Sequence, residues 1–200
     1  MGSKTSTHKS CRHPIHWFKE IKCKMFIMLY NPPVKGEDGL YFVKALTDEK
    51  RKCLVQVNNV KVVDVSGEFV FDLSSNVNIK KIVEVDTHNL EAAVDNCETW
   101  FSRKLSENVI TTAYTPSHVS QEITGDLLDV TKVYNSKQEV VDITSVQPGK
   151  VCDVILEFAG LWFAKKNFGP SWNVVQVRVH EDPILDTYPE GYAFVDSDDQ

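Results

Sequence analysis

Local signatures of catalysis are missing from this chain of 200 residues. It contains no G-x-S-x-G nucleophile elbow, no P-loop, no H-E-x-x-H zinc motif and no G-x-G-x-x-G loop. Its carboxylates, such as Asp64, Asp72 and Glu84, are scattered without a pattern that would pair them for acid–base chemistry. The sequence therefore argues against an enzyme and favours a binding or structural protein.

Cysteine is sparse, and its spacing is not that of a metal site or a disulfide framework. The five cysteines lie far apart and form no C-x-x-C. An odd number at wide spacing is typical of free thiols in a reducing compartment. Side chains of the zinc-binding type occur near the N-terminus, but their C-x-H-x2-H-x6-C spacing matches no compact zinc finger. We therefore expect no metal and no cofactor, and we assign no site to Cys11, His13, His16 and Cys23.

Long apolar runs and a secretory leader are absent as well. No apolar stretch approaches the roughly 20 residues of a membrane helix. The N-terminus is polar and basic, and it lacks the apolar segment of a signal peptide. The expectation is an intracellular protein that is neither secreted nor inserted in a membrane.

Charge is distributed unevenly along the chain, although its net value is only −6. Residues 1–24 hold six Lys or Arg against Glu20, whereas residues 181–200 hold seven carboxylates and no Lys or Arg. Prolines after Asp182 and Tyr188 favour extended chain in the acidic part. The sequence predicts a basic, partly flexible arm (1–23), a folded domain (24–180) and an acidic tail (181–200).

Apolar periodicity predicts a mainly β fold with one helix. Leu90, Val94, Cys97, Phe101 and Leu105 recur at helical spacing and predict a helix over 87–105. Strands are predicted at 24–31, 40–46, 68–73, 79–85, 119–123, 127–134 and 150–158, with a hairpin of 51–57 and 60–65 around two asparagines. Strands, one helix and more strands are typical of an OB-fold-like antiparallel barrel with extensions. An antiparallel sandwich is the alternative fold.

The segment 161–179 points most directly to a function. It holds four aromatic residues, three cations and no carboxylate, and it reads as a hairpin that turns near 167–171. Alternation in its second arm places Trp172 and Arg178 on the outward face, and Val177 inward. Because bases stack on aromatic rings and phosphates attract cations, this composition favours binding of single-stranded nucleic acid. With the basic strands before it, the predicted contact residues are Trp162, Lys165, Lys166, Phe168, Trp172, Arg178, Arg51, Lys52 and Lys61.

These residues also have plainer interpretations. Aromatic residues of a hairpin often belong to the core or form cross-strand pairs. Cations on the outer side of a strand are often only solvated, and this holds equally for Lys80 and Lys81, which could extend the same groove. An acidic tail often serves solubility alone.

The string Gly160-Leu-Trp-Phe-Ala-Lys-Lys-Asn-Phe-Gly-Pro-Ser-Trp-Asn-Val-Val-Gln-Val-Arg-Val179 resembles a segment of an uncharacterised protein family of large nucleocytoplasmic DNA viruses. That family is similar to the single-stranded-DNA-binding proteins of podoviruses. The resemblance implies a non-catalytic OB-fold with an acidic, aromatic tail. The tail residues that match in type are Tyr192, Phe194, Asp196, Asp198 and Asp199. The podovirus tail ends on an aromatic residue, whereas this chain ends in Asp199-Gln200.

Together these observations predict a viral single-stranded-DNA-binding protein that acts in DNA replication, recombination or repair inside the host cell. The expected partners are single-stranded DNA and, through the tail, viral replication proteins. The tail is also expected to compete with DNA for the cationic surface. A monomer and a homodimer are both compatible with the sequence. The alternative is a structural or assembly protein of the virion, which a β-rich domain with a basic arm and an acidic tail would suit equally.

Overall fold

The structure, a computed structural model, describes residues 27–37 and 39–181. The strands range from two to thirteen residues in length, and three helices lie between the fifth and sixth strands. In chain order the elements are β1 (Met28–Tyr30), β2 (Val34–Lys35), β3 (Tyr41–Thr47), β4 (Cys53–Asp64), β5 (Phe69–Asp72), α1 (Asn76–Asp95), α2 (Cys97–Phe101), α3 (Glu107–Ala113), β6 (His118–Val119), β7 (Glu122–Tyr134), β8 (Val140–Val141), a 3-10 turn (Ile143–Ser145), β9 (Val151–Phe163) and β10 (Phe168–Val179).

Five of these strands close into a ring. β4 pairs with β5, β5 with β7, β7 with β10, β10 with β9, and β9 again with β4. Every pairing in the ring is antiparallel except β7–β10, which is parallel. The ring is the five-stranded Greek-key arrangement of an OB-like barrel. Because the ring is closed, the alternative of an antiparallel sandwich is wrong. The predicted fold class is therefore confirmed.

The remaining strands extend the barrel. β3 pairs with the last part of β9 and carries β1 and β2 on its other side. β6 and β8 pair with β7. The described residues form three helices instead of the single helix expected over 87–105.

The barrel interior follows the predicted alternation where strands are regular. Val154, Leu156 and Phe158 on β9 are fully buried, as are Phe71 on β5 and the following Leu73. β-branched and aromatic side chains pack well on a pleated surface, which is why these segments form strands. The two-residue spacing predicts one shared face for Phe69, Phe71 and Leu73 and another for Cys152, Val154, Leu156 and Phe158, and the burial of all seven confirms both faces.

The hairpin predicted around Asn58-Asn59 is instead a bulge inside the single strand β4. The register with β9 shifts between Val57 and Val60, so both asparagines oppose a shorter stretch of the partner strand. Asn59 adopts φ 53°, the left-handed conformation that asparagine tolerates. Its N–H donates to Asp153 Oδ1 over 2.9 Å. Asn58 and Asn59 are residues typical of turns, but here they form a bulge in a strand that continues beyond them.

The strand predicted at 79–85 is wrong, because these residues belong to helix α1. The helix begins at Asn76, and the Ser75 side chain caps it by accepting from the N–H groups of Val77 and Asn78. Its inward face includes the polar residues Asn78, Asp86 and Asn89. The predicted start at Thr87 is therefore eleven residues too late, and Val94, expected on the apolar face, is exposed.

A buried carboxylate attaches α1 to the barrel. Asp86 accepts from Tyr114 OH at 2.7 Å, from the Ser117 N–H at 2.9 Å and from Ser117 Oγ. Ser117 Oγ in turn accepts from Trp172 Nε1 of β10 at 2.9 Å. The helix is thus joined to the last barrel strand by hydrogen bonds that are shielded from water.

The same network reaches the extension. Tyr30 OH of β1 donates to Asn89 Oδ1 at 2.7 Å, and Asn89 Nδ2 donates to Tyr114 OH at 2.9 Å. Burial raises the pKa of Tyr114, and the neighbouring Asp86 carboxylate raises it further. Both phenols therefore stay protonated and keep donating at neutral pH, because burial also raises the pKa of Tyr30.

Candidate nucleic-acid interface

Lys165 and Lys166 lie at the tip of the β9–β10 hairpin. The Ala164 N–H donates to the Asn167 carbonyl at 2.8 Å and closes the turn, which lies three residues earlier than expected. Both lysines are exposed, and neither forms an ion pair with any described residue. Their ammonium groups are therefore available to phosphates.

Trp162 lies on the outer side of β9, three residues before this tip. It is half-buried, and its Nε1 donates to the Pro170 carbonyl of β10 over 3.1 Å. The ring lies so close to Gly169 that a Cβ there would be 3.0 Å from Trp162 Cζ2. The hydrogen bond and the glycine hold the indole against β10 while part of its surface stays accessible.

Trp172 does not lie on the predicted outward face, and Phe168, a predicted contact residue, is buried as well. Phe168 is 1% exposed and stacks on Phe163, with ring centroids 5.3 Å apart and an interplanar angle of 7°. Trp172 is 4% exposed and packs against Phe158 at a centroid distance of 5.4 Å. Both residues belong to the core, so the outward position predicted for Trp172 was wrong.

Bulges explain this correction. Val174 pairs with Leu156, and Gln176 pairs with the adjacent Ile155, so Val175 is an extra residue in β10. The extra residue reverses the alternation, which puts Trp172, Val174 and Val177 together on the inner face. Strict period-two counting through 172–179 cannot detect such an insertion.

Two predicted cations are engaged by nearly buried carboxylates. Arg178 donates to Asp153 Oδ2 through Nε at 3.0 Å and through Nη2. Lys52 Nζ lies 2.9 Å from Glu157 Oε2. Burial alone would raise the pKa of Asp153, but hydrogen bonds from Arg178, His180 and the Asn59 N–H outweigh it and lower that pKa. The charges of Arg178 and Lys52 are therefore largely balanced within the protein.

The other predicted strand cations are not brought to the hairpin tip. Arg51 pairs with Glu49 at 3.1 Å. Lys61 lies opposite Asp72 in the β4–β5 pairing. Lys80 and Lys81 are on helix α1, where Lys81 Nζ donates to the Gln56 carbonyl at 2.6 Å. A continuous cationic stripe through these positions does not form.

Strand β3 brings two further residues beside Trp162. Phe42 is the register partner of Trp162, and Lys44 is the partner of Gly160. Val43 and Ala45 are buried, so the alternating positions Phe42 and Lys44 face outward. Alternation within 40–46 could have placed these two on one face, but only the long-range pairing of β3 with β9 places them next to Trp162.

Gly160 is required where β3 and β9 approach each other. Its φ is 149°, and a Cβ there would be 2.1 Å from the Val43 carbonyl oxygen and 3.0 Å from Phe42 Cζ. Any side chain at this position would force the two strands apart. The glycine therefore sets the close contact that carries Phe42 alongside β9.

The thiols of Cys53 and Cys152 are buried and are not activated as nucleophiles. Burial raises the pKa of Cys53 to about 11 and that of Cys152 to about 12, with nearby Glu157 and Asp153 adding to the respective shifts. Both are protonated at neutral pH, and a thiol in that state is a poor nucleophile. Within residues 27–37 and 39–181 no group of three His, Cys, Asp or Glu could hold a metal ion.

Several predicted features lie outside the described residues. These are the basic arm 1–23, the acidic tail beyond Glu181 and the tail positions Tyr192, Phe194, Asp196, Asp198 and Asp199. They stay predictions. None of the helices in the described part of the chain has both the length and the apolar content of a membrane span.

The fold and the site define this chain as an OB-like barrel whose β9–β10 hairpin tip carries two exposed lysines. The chain belongs to the family of unknown function DUF5871, whose model matches residues 58–196. No curated protein sequence matches the chain.

Solved structures of bacteriophage Enc34 single-stranded DNA-binding protein are similar in fold. The C-terminally truncated form aligns with a TM-score of 0.46 at 12% identity over 76% of this chain and 95% of its own. The complex with single-stranded DNA gives 0.43 at 12% identity, over 82% and 99%. A third structure gives 0.44 at 13% identity, over 84% and 96%. At this identity and these TM-scores, the likeness assigns no function to this chain.

Proposed function

We propose that this chain is a non-catalytic protein that binds single-stranded DNA through the hairpin-tip side of its barrel. The observation that carries the proposal is the position of Lys165 and Lys166, exposed and without ion pairs in the described structure, beside the partly open indole of Trp162. Free cations neutralise phosphates, and an aromatic ring stacks on bases without regard to sequence. Viral origin and a place in DNA replication, recombination or repair belong to the same proposal.

The test is a titration of a fluorescently labelled thymidine oligomer with the full chain across a salt series. The logarithm of the affinity should fall linearly with the logarithm of the salt concentration, by about 0.7 per phosphate neutralised. Tryptophan fluorescence should be quenched if an indole stacks on a base. Absence of binding at low salt would overturn the proposal.

Charge reversal at the hairpin tip should weaken binding most clearly at low salt. Because each lost phosphate contact lowers the salt slope by about 0.7, the variant Lys165→Glu/Lys166→Glu should show a slope smaller by about 1.4. The measurement is the same titration. The matched control is Lys80→Glu/Lys137→Glu, which changes net charge equally at exposed positions on α1 and in the β7–β8 turn. Equal slopes for the two variants would place the DNA elsewhere.

Removal of the acidic tail should raise the affinity for single-stranded DNA. β10 spans twelve residues between the hairpin tip and the start of the tail, roughly 40 Å at 3.3 Å per residue. Residues 182–200 can extend to roughly 60 Å, so the tail is long enough to reach Lys165 and Lys166. As a tethered anion it competes with phosphate at high effective concentration.

The experiment compares the full chain with a chain ending at His180, at low and high salt, after circular dichroism has shown both to be folded. The difference should shrink as salt screens the charges. Equal affinities at low salt would show that the tail does not compete. Docking of replication proteins on Tyr192, Phe194, Asp196, Asp198 and Asp199 is a separate part of the proposal, and a pull-down with the same two chains tests it.

A second candidate function is interaction with another protein, as in a virion or its assembly. The specific observation is a concentration of exposed apolar side chains at the start of the described chain. Ile27, Leu29, Val34 and Leu40 are all at least 40% exposed, and such patches often mark protein interfaces. A chain with this function alone would bind no thymidine oligomer in the titration above.

A further inference from the structure

Phe42 and Trp162 stand side by side on the outer face of the sheet. They are direct partners in the β3–β9 register, so their side chains leave the same face with Cα atoms about 4.5–5.5 Å apart. Both are half-buried and keep some accessible surface. Each ring lies against a glycine: Phe42 against Gly160, and Trp162 against Gly169. The rings therefore rest directly on the sheet backbone as an aromatic pair.

Cations border this aromatic pair. Lys44 is exposed on the outer side of β3, two residues beyond Phe42, and Lys165 and Lys166 follow Trp162 at the hairpin tip. None of these three lysines forms an ion pair with a described residue. The outward positions of β3, and of β9 from Gly160 to its end, carry no carboxylate. Aromatic surface with unpaired cations around it suits unstacked bases and their phosphates.

The outer face of β5 and β7 has the opposite character. These are the second and third strands of the ring, the strands on which OB barrels commonly bind oligonucleotides. Here Asp72 lies opposite Glu122, and Asp126 is exposed further along β7. No aromatic residue occurs in β7 between Glu122 and Val130, and both phenylalanines of β5 are buried. The part of this face formed by β5 and by residues 122–130 of β7 therefore repels phosphate and offers no ring to a base.

We propose that single-stranded DNA crosses β3 and β9, with Phe42 and Trp162 each stacking one of two successive bases, and that the β5–β7 face is left free. Lys44, Lys165 and Lys166 contact the phosphates on either side of the two bases. This inference rests on the proposed function and adds the path of the DNA and the second stacking residue, Phe42, which lies outside the hairpin.

Single alanine substitutions of the two aromatic residues test the path. Phe42→Ala and Trp162→Ala should each bind a labelled thymidine oligomer roughly 5- to 150-fold more weakly, the change expected for one lost stacked base. Phe42→Tyr and Trp162→Phe keep a ring and should retain most of the affinity. Thr124→Ala, an exposed outward position on β7, is the control for the other face and should bind like the parent chain.

Photo-crosslinking of a 5-bromodeoxyuridine oligomer to the unmodified chain gives a readout that does not depend on how the variants fold. Peptides that contain Phe42 or Trp162 should carry the crosslink, and the peptide of residues 122–126 should not. If the parent chain binds but crosslinks at 122–126, this path is wrong and the proposed function is unaffected. The same holds if folded Phe42→Ala binds with full affinity. No binding by the parent chain at low salt would overturn both.

Discussion

Replacing Trp172 by alanine is expected to lower the free energy of unfolding by about 3–5 kcal/mol, the usual cost of emptying a buried aromatic site. The indole is 4% exposed, lies 5.4 Å from the Phe158 ring and donates from Nε1 to Ser117 Oγ. Alanine leaves a cavity between β9 and β10 and removes a donor from the Asp86 network. A domain of marginal stability can be largely unfolded by a loss of this size.

Urea denaturation followed by circular dichroism measures this effect. Trp172→Phe keeps most of the ring and loses only the N–H, so its cost should be clearly smaller. Trp162→Ala, at a half-buried position, should also cost less. If Trp172→Ala unfolds at the same urea concentration as the parent chain but binds DNA weakly, then Trp172 is on the surface and its buried position is wrong.

Loss of the Asp86 carboxylate is expected to destabilise the chain by a similar amount, about 3–5 kcal/mol. In Asp86→Ala, Tyr114 OH, the Ser117 N–H and Ser117 Oγ all lose their acceptor. Each buried donor left without an acceptor costs about 1–3 kcal/mol. Asp86→Asn keeps the size but offers one acceptor oxygen in place of two, so it should be intermediate.

The matched control is Asp95→Ala, on the same helix but exposed. A surface substitution of this kind changes stability by about 0.5 kcal/mol or less. Chemical denaturation of the three variants beside the parent chain gives the comparison. Equal stability of Asp86→Ala and Asp95→Ala would mean that the network between α1 and the barrel contributes nothing to folding.

Regular strands were predictable from the sequence because their side chains alternate. The inward residues of β5 and of the first part of β9 were identified, and the pairing of β9 with β10 was anticipated from one aromatic, cationic segment. The order of strands, helix and strands was enough to favour an OB-like barrel. Local composition also located the hairpin-tip lysines, since exposed cations need no long-range information.

Irregular positions were not predictable, and each has a physical cause. Asn58-Asn59 has the composition of a turn, but its backbone bonds to Asp153 and Asn78 hold it as a bulge. Helix α1 buries the polar residues Asn78, Asp86 and Asn89 along its length, so its inward face lacks the continuous apolar period that marks a helix.

The candidate site could not be predicted in full either, because its geometry depends on contacts between segments that are far apart in the sequence. A single extra residue, Val175, reversed the predicted facing of Trp172. Phe42 reaches Trp162 only through the pairing of β3 with β9, two segments far apart in the sequence. Contacts of this kind depend on the register of the sheet, which no local pattern of residues contains.

The closed ring also governs how fast this chain can reach its native state. β4 and β9 are separated in the sequence by three helices and four other strands, yet they must meet to complete the barrel. β10 lies between β9 and β7, and its pairing with β7 also joins segments far apart in the sequence. Such non-local pairing costs loop-closure entropy before burial of the core compensates for it. Domains of this kind therefore fold in milliseconds to seconds. Until the ring closes, its strands expose unpaired edges, so the unfinished barrel is prone to associate with other copies.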